Sequence, residues 1–149
     1  ARVVKLRTGV VLTMSGGALA KMLPAFKVGL GGPMGGGEQW MSWISLDDWL
    51  KIVARALTDA SISGPLNAVA PGAMRQRNFA KALGGALSRP AVISTPALAL
   101  RILFGQMADE AILASTRVIP HKLGQLNHKF LHPSLEKALG HVLGKRVSR

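Results

Sequence analysis

The spacing of apolar residues changes several times along the chain, and each change marks an element. Val3 to Leu12 is rich in β-branched and leucine side chains and predicts a buried strand. Gly16-Gly17 then opens a helix over Ala18–Phe26, with Leu19, Met22 and Leu23 at helical spacing. Pro24 limits or kinks that helix, because it removes a backbone donor. Glu38–Ile44 is a short apolar stretch, and Ser45-Leu46-Asp47-Asp48 has the form of a helix start. Ser45 takes the capping position and Asp48 the capping-box position three residues on. The helix continues through Trp49, Leu50, Ile52, Val53, Ala56 and Leu57.

Gly64-Pro65 turns the chain into a short strand over Leu66–Ala70, which Pro71-Gly72 ends. Arg75–Leu87 reads as a helix with Phe79, Ala82, Leu83 and Leu87 inward. Ala91–Ser94 predicts a strand, and Pro96 suits the first turn of a helix running to Phe104. Further helices are expected over Asp109–Ser115 and Ser134–Leu143, with Pro120 as punctuation between them. Strands alternate with helices early and give way to helices late. The fold class is therefore α/β, with few parallel strands and a helical tail. Residues 1–88 form one part and residues 89–149 a second, largely helical one.

Composition adds limits. At 149 residues with 48% hydrophobic and 17% charged side chains, the chain is long and apolar enough to bury a core. No cysteine is present, which excludes disulfides and thiolate metal sites and fits a reducing, cytoplasmic setting. No leader is visible, and no uncharged apolar run approaches the roughly 18 residues of a membrane span. Net charge is +12, from 19 Lys+Arg against 7 Asp+Glu, which favours anionic partners. The basic residues are spread along the chain, and only Lys145–Arg149 forms a local cluster. Two readings follow: a basic module for nucleic acid or another polyanion, or solvated charge that complements an acidic partner segment.

Candidate chemistry is sparse. Gly29–Gly37 holds six glycines in nine residues and must be a loop. It is either a phosphate cradle of backbone N–H groups or a flexible surface loop. Neither a P-loop signature nor a G-x-G-x-x-G turn is present. His128 and His132 stand four apart, a ligand spacing on a helix. Asn127 and Pro133 argue against a helix there, and no metal is expected. Asp47 and Asp48 are open to reading as an acid/base pair, but neighbours on a helix diverge, and capping explains them more simply. Trp40 and Trp43, three apart in an extended segment, point to opposite sides. One packs in the core while the other lines a cleft.

Four stretches carry a resemblance: Leu6-Arg7-Thr8-Gly9-Val10-Val11-Leu12, Gly16-Gly17-Ala18-Leu19-Ala20-Lys21-Met22-Leu23-Pro24, Gly29-Leu30-Gly31-Gly32-Pro33-Met34-Gly35-Gly36-Gly37 and Gln39-Trp40-Met41-Ser42-Trp43-Ile44-Ser45-Leu46-Asp47-Asp48. Gly64-Pro65-Leu66-Asn67-Ala68-Val69-Ala70-Pro71 continues it, and Arg117-Val118-Ile119-Pro120 and Phe130–Leu139 extend it toward the end. Together they resemble the C-terminal half of the NAD(P)-dependent nucleoside-diphosphate-sugar epimerase family, in the extended short-chain dehydrogenase/reductase superfamily. Ser45 stands where that family usually has His, Glu38 where a basic residue often precedes the Gln, and Asn127-His128 where a Gly-Phe pair occurs.

The resemblance implies the C-terminal portion of a Rossmann-type fold, beginning near its sixth strand, with NAD or NADP carried by an N-terminal Rossmann half that this chain does not contain. It implies that Arg7, Thr8, Gly9 and Ser15 approach the cofactor. Gly16, Gly17, Lys21, Gln39, Trp40 and Arg75 would face a nucleotide-sugar-like substrate. No catalytic residue is assigned, because the family's Tyr-x-x-x-Lys pair cannot exist in a chain without tyrosine. No membrane partner is expected, and the first strand's exposed edge offers a route to a homo-oligomer.

Overall fold

The computed structural model describes residues 2–106, 108–113, 115 and 117–144, so the basic cluster at 145–149 lies outside the described residues. The elements run β1 (Val4–Thr8), β2 (Val10–Leu12), α1 (Gly17–Lys27), β3 (Trp40–Met41), β4 (Trp43–Ser45), α2 (Leu46–Thr58), β5 (Gly64–Ala68), β6 (Met74–Arg75), α3 (Gln76–Ala86), α4 (Ala97–Phe104), a π-helical turn (Ala108–Ile112), α5 (His121–Gln125) and α6 (Leu135–Val142). β1 pairs in parallel with β5, β2 in parallel with β4, and β3 antiparallel with β6. The chain is α/β with few parallel strands, as its hydrophobic pattern predicts.

The single buried strand expected over Val3–Leu12 is two strands, broken at Gly9. Val10 donates to the Ser42 carbonyl at 2.9 Å, and a Cβ on Gly9 would stand 2.8 Å from that oxygen. Two backbones meet here, and only glycine leaves room. The break lets β1 pair on one side and β2 on another. β1 is also less buried than expected. Lys5 and Arg7, two residues apart, share one face of the strand and keep it in solvent, while Val4 and Leu6 turn inward.

α1 runs through Pro24 to Lys27, one residue longer at each end than the expected Ala18–Phe26. The proline occupies an exposed position, and the opposite stripe of Ala18, Leu19, Met22, Leu23 and Phe26 is buried. Burial of that stripe offsets the lost hydrogen bond. The glycine-rich segment is packed rather than flexible. Gly31 lies against the Phe26 ring and Gly32 against the Ile93 backbone, each too close for a Cβ. Gly31 and Pro33 accept from Ile93 and Thr95 at 3.2 and 2.9 Å, and Thr95 accepts from Gly35 at 2.8 Å. The strand expected over Ala91–Ser94 is reduced to this extended contact, with one bridge between Met34 and Thr95. The helix expected near Asp109–Ser115 is the short π-helical turn.

Two apolar clusters fill the interior. The larger joins Leu12, α1, Trp43, Phe79 and Leu83 to Leu100, Phe104, Leu135 and Leu139. The smaller joins Ile44, Ile52, Ile62, Leu66 and Ala68 to Leu123. Residues beyond 88 thus complete both clusters.

A polar stripe on α2 holds the C-terminal segment in place. Ser45 caps the helix, its Oγ accepting from Asp48 N at 3.2 Å and donating to Asp48 Oδ2 at 3.0 Å. Asp48 is fully buried. Its Oδ1 accepts from Leu131 N at 2.7 Å and its Oδ2 from His132 N at 2.9 Å. One turn on, Lys51 donates to the Lys129 carbonyl at 2.9 Å, and Arg55 donates to the Leu126 carbonyl at 2.9 Å. Positions 48, 51 and 55 share one helix face.

Removing the Asp48 carboxylate leaves two part-buried N–H groups without their acceptor. Asp48→Ala is therefore expected to lower stability by about 2–4 kcal/mol, and Ser45→Ala by about 1 kcal/mol. Equilibrium urea unfolding reads both. An unchanged midpoint for Asp48→Ala would show that the carboxylate anchors nothing.

Candidate functional site

A cavity of about 710 Å³ opens where β1 and β5 end. Arg7, Thr8 and Gly9 reach it from the end of β1, Asn67 from β5 and Trp40 from β3. Arg117, Val118 and Ile119 form its outer wall. That wall is tied to the strands: Val118 N donates to Ser42 Oγ at 3.0 Å, and Asn67 Nδ2 donates to the Ile119 carbonyl at 3.2 Å. Because β1 and β5 are parallel, their carboxyl ends lie side by side. Crevices at such ends are where open α/β folds place ligands.

Trp40 is the centre of this wall. The Arg75 guanidinium lies 4.4 Å from its ring centroid and the Arg117 guanidinium 4.6 Å. Arg75 is held in turn by the Glu38 carbonyl at 2.6 Å. The indole face attracts both cations, and each cation stiffens the indole. Trp43, three residues on, is 1% exposed in the core. The odd spacing thus sends one tryptophan to the cavity and the other inward. The Thr8 hydroxyl accepts from Trp49 Nε1 at 3.1 Å and still has its own proton to donate.

The structure brings Arg7, Thr8, Gly9 and Trp40 to one cavity, with Arg75 stacked on Trp40. Ser15 lines a second cavity of about 260 Å³, beside Thr13, Ser45, Asp47 and His141. Gly16 and Gly17 lead into α1 and line neither cavity. The Lys21 ammonium sits 5.9 Å from the Phe104 ring centroid. Gln39 donates to the Met34 carbonyl at 2.9 Å and so supports the glycine-rich loop. Sequence reasoning did not single out Arg117 or Asn67, although both lie inside stretches that carry the resemblance.

It also missed a cluster of Asp47, His132 and His141. Asp47 Oδ2 is 2.7 Å from His141 Nε2 and 3.5 Å from His132 Nε2, and the two imidazoles stack at 4.5 Å. Separations of 85 and 94 residues from Asp47 leave no signal in local spacing. The pair that spacing does offer, His128 and His132, is not brought together on a helix. Asn127 adopts a positive φ of 53°, and the chain is irregular through Pro133. His128 instead packs edge-on against Phe130, with its Nδ1 3.3 Å from Arg55 Nη1.

Residues 95–142 match the family described as Domain of unknown function (DUF1731). Over 142 residues the chain is 43% identical to the epimerase family protein Mb2239 of Mycobacterium bovis, covering 95% of this chain and 47% of that protein. It is 37% identical over 142 residues to the human epimerase family protein SDR39U1, with 95% and 48% covered. The crystal structure of human SDR39U1 (isoform 2) with NADPH superimposes with a TM-score of 0.88 at 36% identity, covering 96% of this chain and 48% of that one. The chain belongs to the epimerase family of extended short-chain dehydrogenases/reductases. It spans about half the length of the curated relatives it matches, corresponding to the C-terminal half of the epimerase fold. The UDP-glucose 4-epimerase of Thermus thermophilus, in complex with NAD, has the same fold over this region, with a TM-score of 0.66 at 18% identity, covering 96% of this chain and 47% of that one. Among the described residues, no helix is long and apolar enough to cross a membrane.

In this epimerase-family chain His128 stands out electrostatically. Burial holds its pKa below the ordinary 6.5, the Lys51 and Arg55 charges push it down further, and Asp48 partly opposes them. A depressed folded-state pKa means that the unfolded chain takes up the proton first as pH falls. The stability this group contributes is present above about pH 6.5 and is lost as pH drops through the lower, folded-state value. His128→Gln is expected to flatten the fall in stability between about pH 7 and 5. Urea midpoints at several pH values measure it, and equal slopes for the variant and the parent would contradict the assignment.

Proposed function

We propose that this chain supplies the substrate-side wall of an NAD(P)-dependent epimerase- or reductase-like protein, whose dinucleotide is carried by an N-terminal Rossmann half. The observation that carries the reading is the cavity at the carboxyl ends of β1 and β5, lined by Arg7, Thr8, Trp40 and Arg117. Its chemistry suits a nucleotide-sugar. Guanidinium groups pair with diphosphate oxygens through charge-assisted, often bidentate hydrogen bonds. Trp40 seats the Arg117 guanidinium at the cavity wall by cation–π contact, which fixes where that charge meets a ligand.

The donors at the rim suit the polar, amide-bearing end of a dinucleotide rather than its pyrophosphate. Arg7 and Thr8 line the cavity, and the bare Gly9 is explained by its approach to Ser42. The cofactor contributes hydride transfer when bound. This chain contributes orientation and charge: Arg7 and Arg117 balance an anion, and Trp40 holds Arg117 in position. Acid/base chemistry of the tyrosine type must come from residues outside this sequence, since it has no tyrosine. Among the described residues β1 pairs only with β5, so its other edge is free to join the sheet of the cofactor-bearing half. The +12 charge favours both that anionic substrate and an acidic partner surface.

The test uses a protein of the relatives' full length that carries this chain. NADPH and NADH are titrated first, followed by UDP and UDP-sugars in the presence of the preferred dinucleotide. Arg117→Ala and Trp40→Ala are expected to weaken UDP binding by about tenfold or more, in keeping with loss of a charge-assisted contact worth about 1.5–3 kcal/mol. Dinucleotide binding is expected to stay within about twofold. Failure of any dinucleotide to bind, or UDP affinities indifferent to both substitutions, would refute the proposal.

A further inference from the structure

We propose that Asp47, His132 and His141 form a binding site for a divalent first-row transition ion of the Zn²⁺ class. Their ligand atoms, one carboxylate oxygen and two imidazole nitrogens, all lie within 4.8 Å of one another. Two imidazoles and one carboxylate are a donor set that borderline ions such as Zn²⁺ take, leaving a fourth position open. Bonds of about 2.0–2.1 Å in a tetrahedral site place neighbouring ligand atoms about 3.3 Å apart. The 3.5 Å between Asp47 Oδ2 and His132 Nε2 is already near that value. The 2.7 Å between Asp47 Oδ2 and His141 Nε2 must open slightly, and the stacked rings must tilt so that their lone pairs converge. Both adjustments are side-chain rotations open to the exposed Asp47 and His141.

The three ligands stand on fixed supports. Asp47 is in the first turn of α2, where the helix dipole favours its negative charge. The adjacent Asp48 grips the His132 main chain at 2.9 Å, so consecutive carboxylates hold the backbone and face the imidazole of one residue. His141 projects from α6, whose Ala138 and Leu139 are fully buried. The His132 side chain is only 18% exposed, so its ring is confined before any ion arrives.

A second feature favours an open coordination position. Asp47 and His141 line the 260 Å³ cavity together with Thr13, Ser15 and Ser45, which leaves space and oxygen groups for a water or an anionic ligand at the fourth position. An ion there would fasten α6 and the Leu131–Pro133 segment to the start of α2. The inference goes beyond the functional reading of the larger cavity and stands whatever that cavity binds.

The test takes the protein stripped with a chelator and then titrated with Zn²⁺ by calorimetry and with Co²⁺ by visible absorption. One equivalent of Zn²⁺ is expected to bind, to raise Tm, and to displace Co²⁺ whose intensified visible bands report a low-coordinate N/O site. Asp47→Asn and His141→Ala, both at exposed side chains, are expected to weaken Zn²⁺ by more than the roughly 10–100-fold that loss of an outer partner costs. Circular dichroism should stay at the parent's level in both. His121→Ala, remote from the cluster, is expected to bind as the parent does. Absence of stoichiometric binding would overturn the proposal and leave only a carboxylate–imidazole hydrogen bond. So would Zn²⁺ affinity that survives Asp47→Asn and His141→Ala unchanged.

Discussion

The buried carboxylate of Asp48 organises much of this structure. It sits one turn into a helix, takes a hydrogen bond from its own cap, and receives two main-chain donors from a segment more than 80 residues away. A charge removed from water must be satisfied in full or the fold loses several kcal/mol. Here satisfaction requires the segment around Leu131 and His132 to dock at one register. That docking sets the position of α6, and α6 supplies Leu135, Ala138 and Leu139 to the main core. Lys51 and Arg55 extend the same logic along α2, each placing a cationic head on a main-chain carbonyl.

The large cavity depends on a different constraint, the close approach of backbones at Gly9. Because a side chain there would strike Ser42, the first strand breaks and its end turns toward the cavity. Ser42 then serves twice, its carbonyl binding Val10 and its hydroxyl binding Val118. The outer wall bearing Arg117 is thereby fixed to the strands that carry Trp40. Two guanidiniums on one indole form a positively charged surface held together by cation–π contact.

Local patterns in the sequence were legible wherever one periodic signal dominated. The α2 start was readable because Ser45 and Asp48 stand at capping positions ahead of an amphipathic run, and α3 and α6 because their apolar residues recur at helical spacing. The resemblance to the epimerase family was readable in strings such as Gln39-Trp40-Met41-Ser42-Trp43-Ile44. What stayed hidden is non-local. Nothing in the residues around Gly9 announces the Ser42 carbonyl beneath it. Asp48 looked like a simple cap because its partners are backbone groups, which carry no identity in a sequence. The meeting of Asp47 with His132 and His141 is a product of that same docking, so it was out of reach for the same reason. Arg117 was within reach, since it stands next to Val118-Ile119-Pro120, but its role is visible only once that strap lies over Trp40.

The account rests on the cavity at the ends of β1 and β5 being where a ligand is held. Amide hydrogen exchange on the full-length family protein carrying this chain, with and without NADPH and a UDP-sugar, addresses that most directly. Slowed exchange confined to the segments around Trp40, Asn67 and Arg117 is the expected result. Protection that appears elsewhere while these three segments exchange unchanged would contradict it.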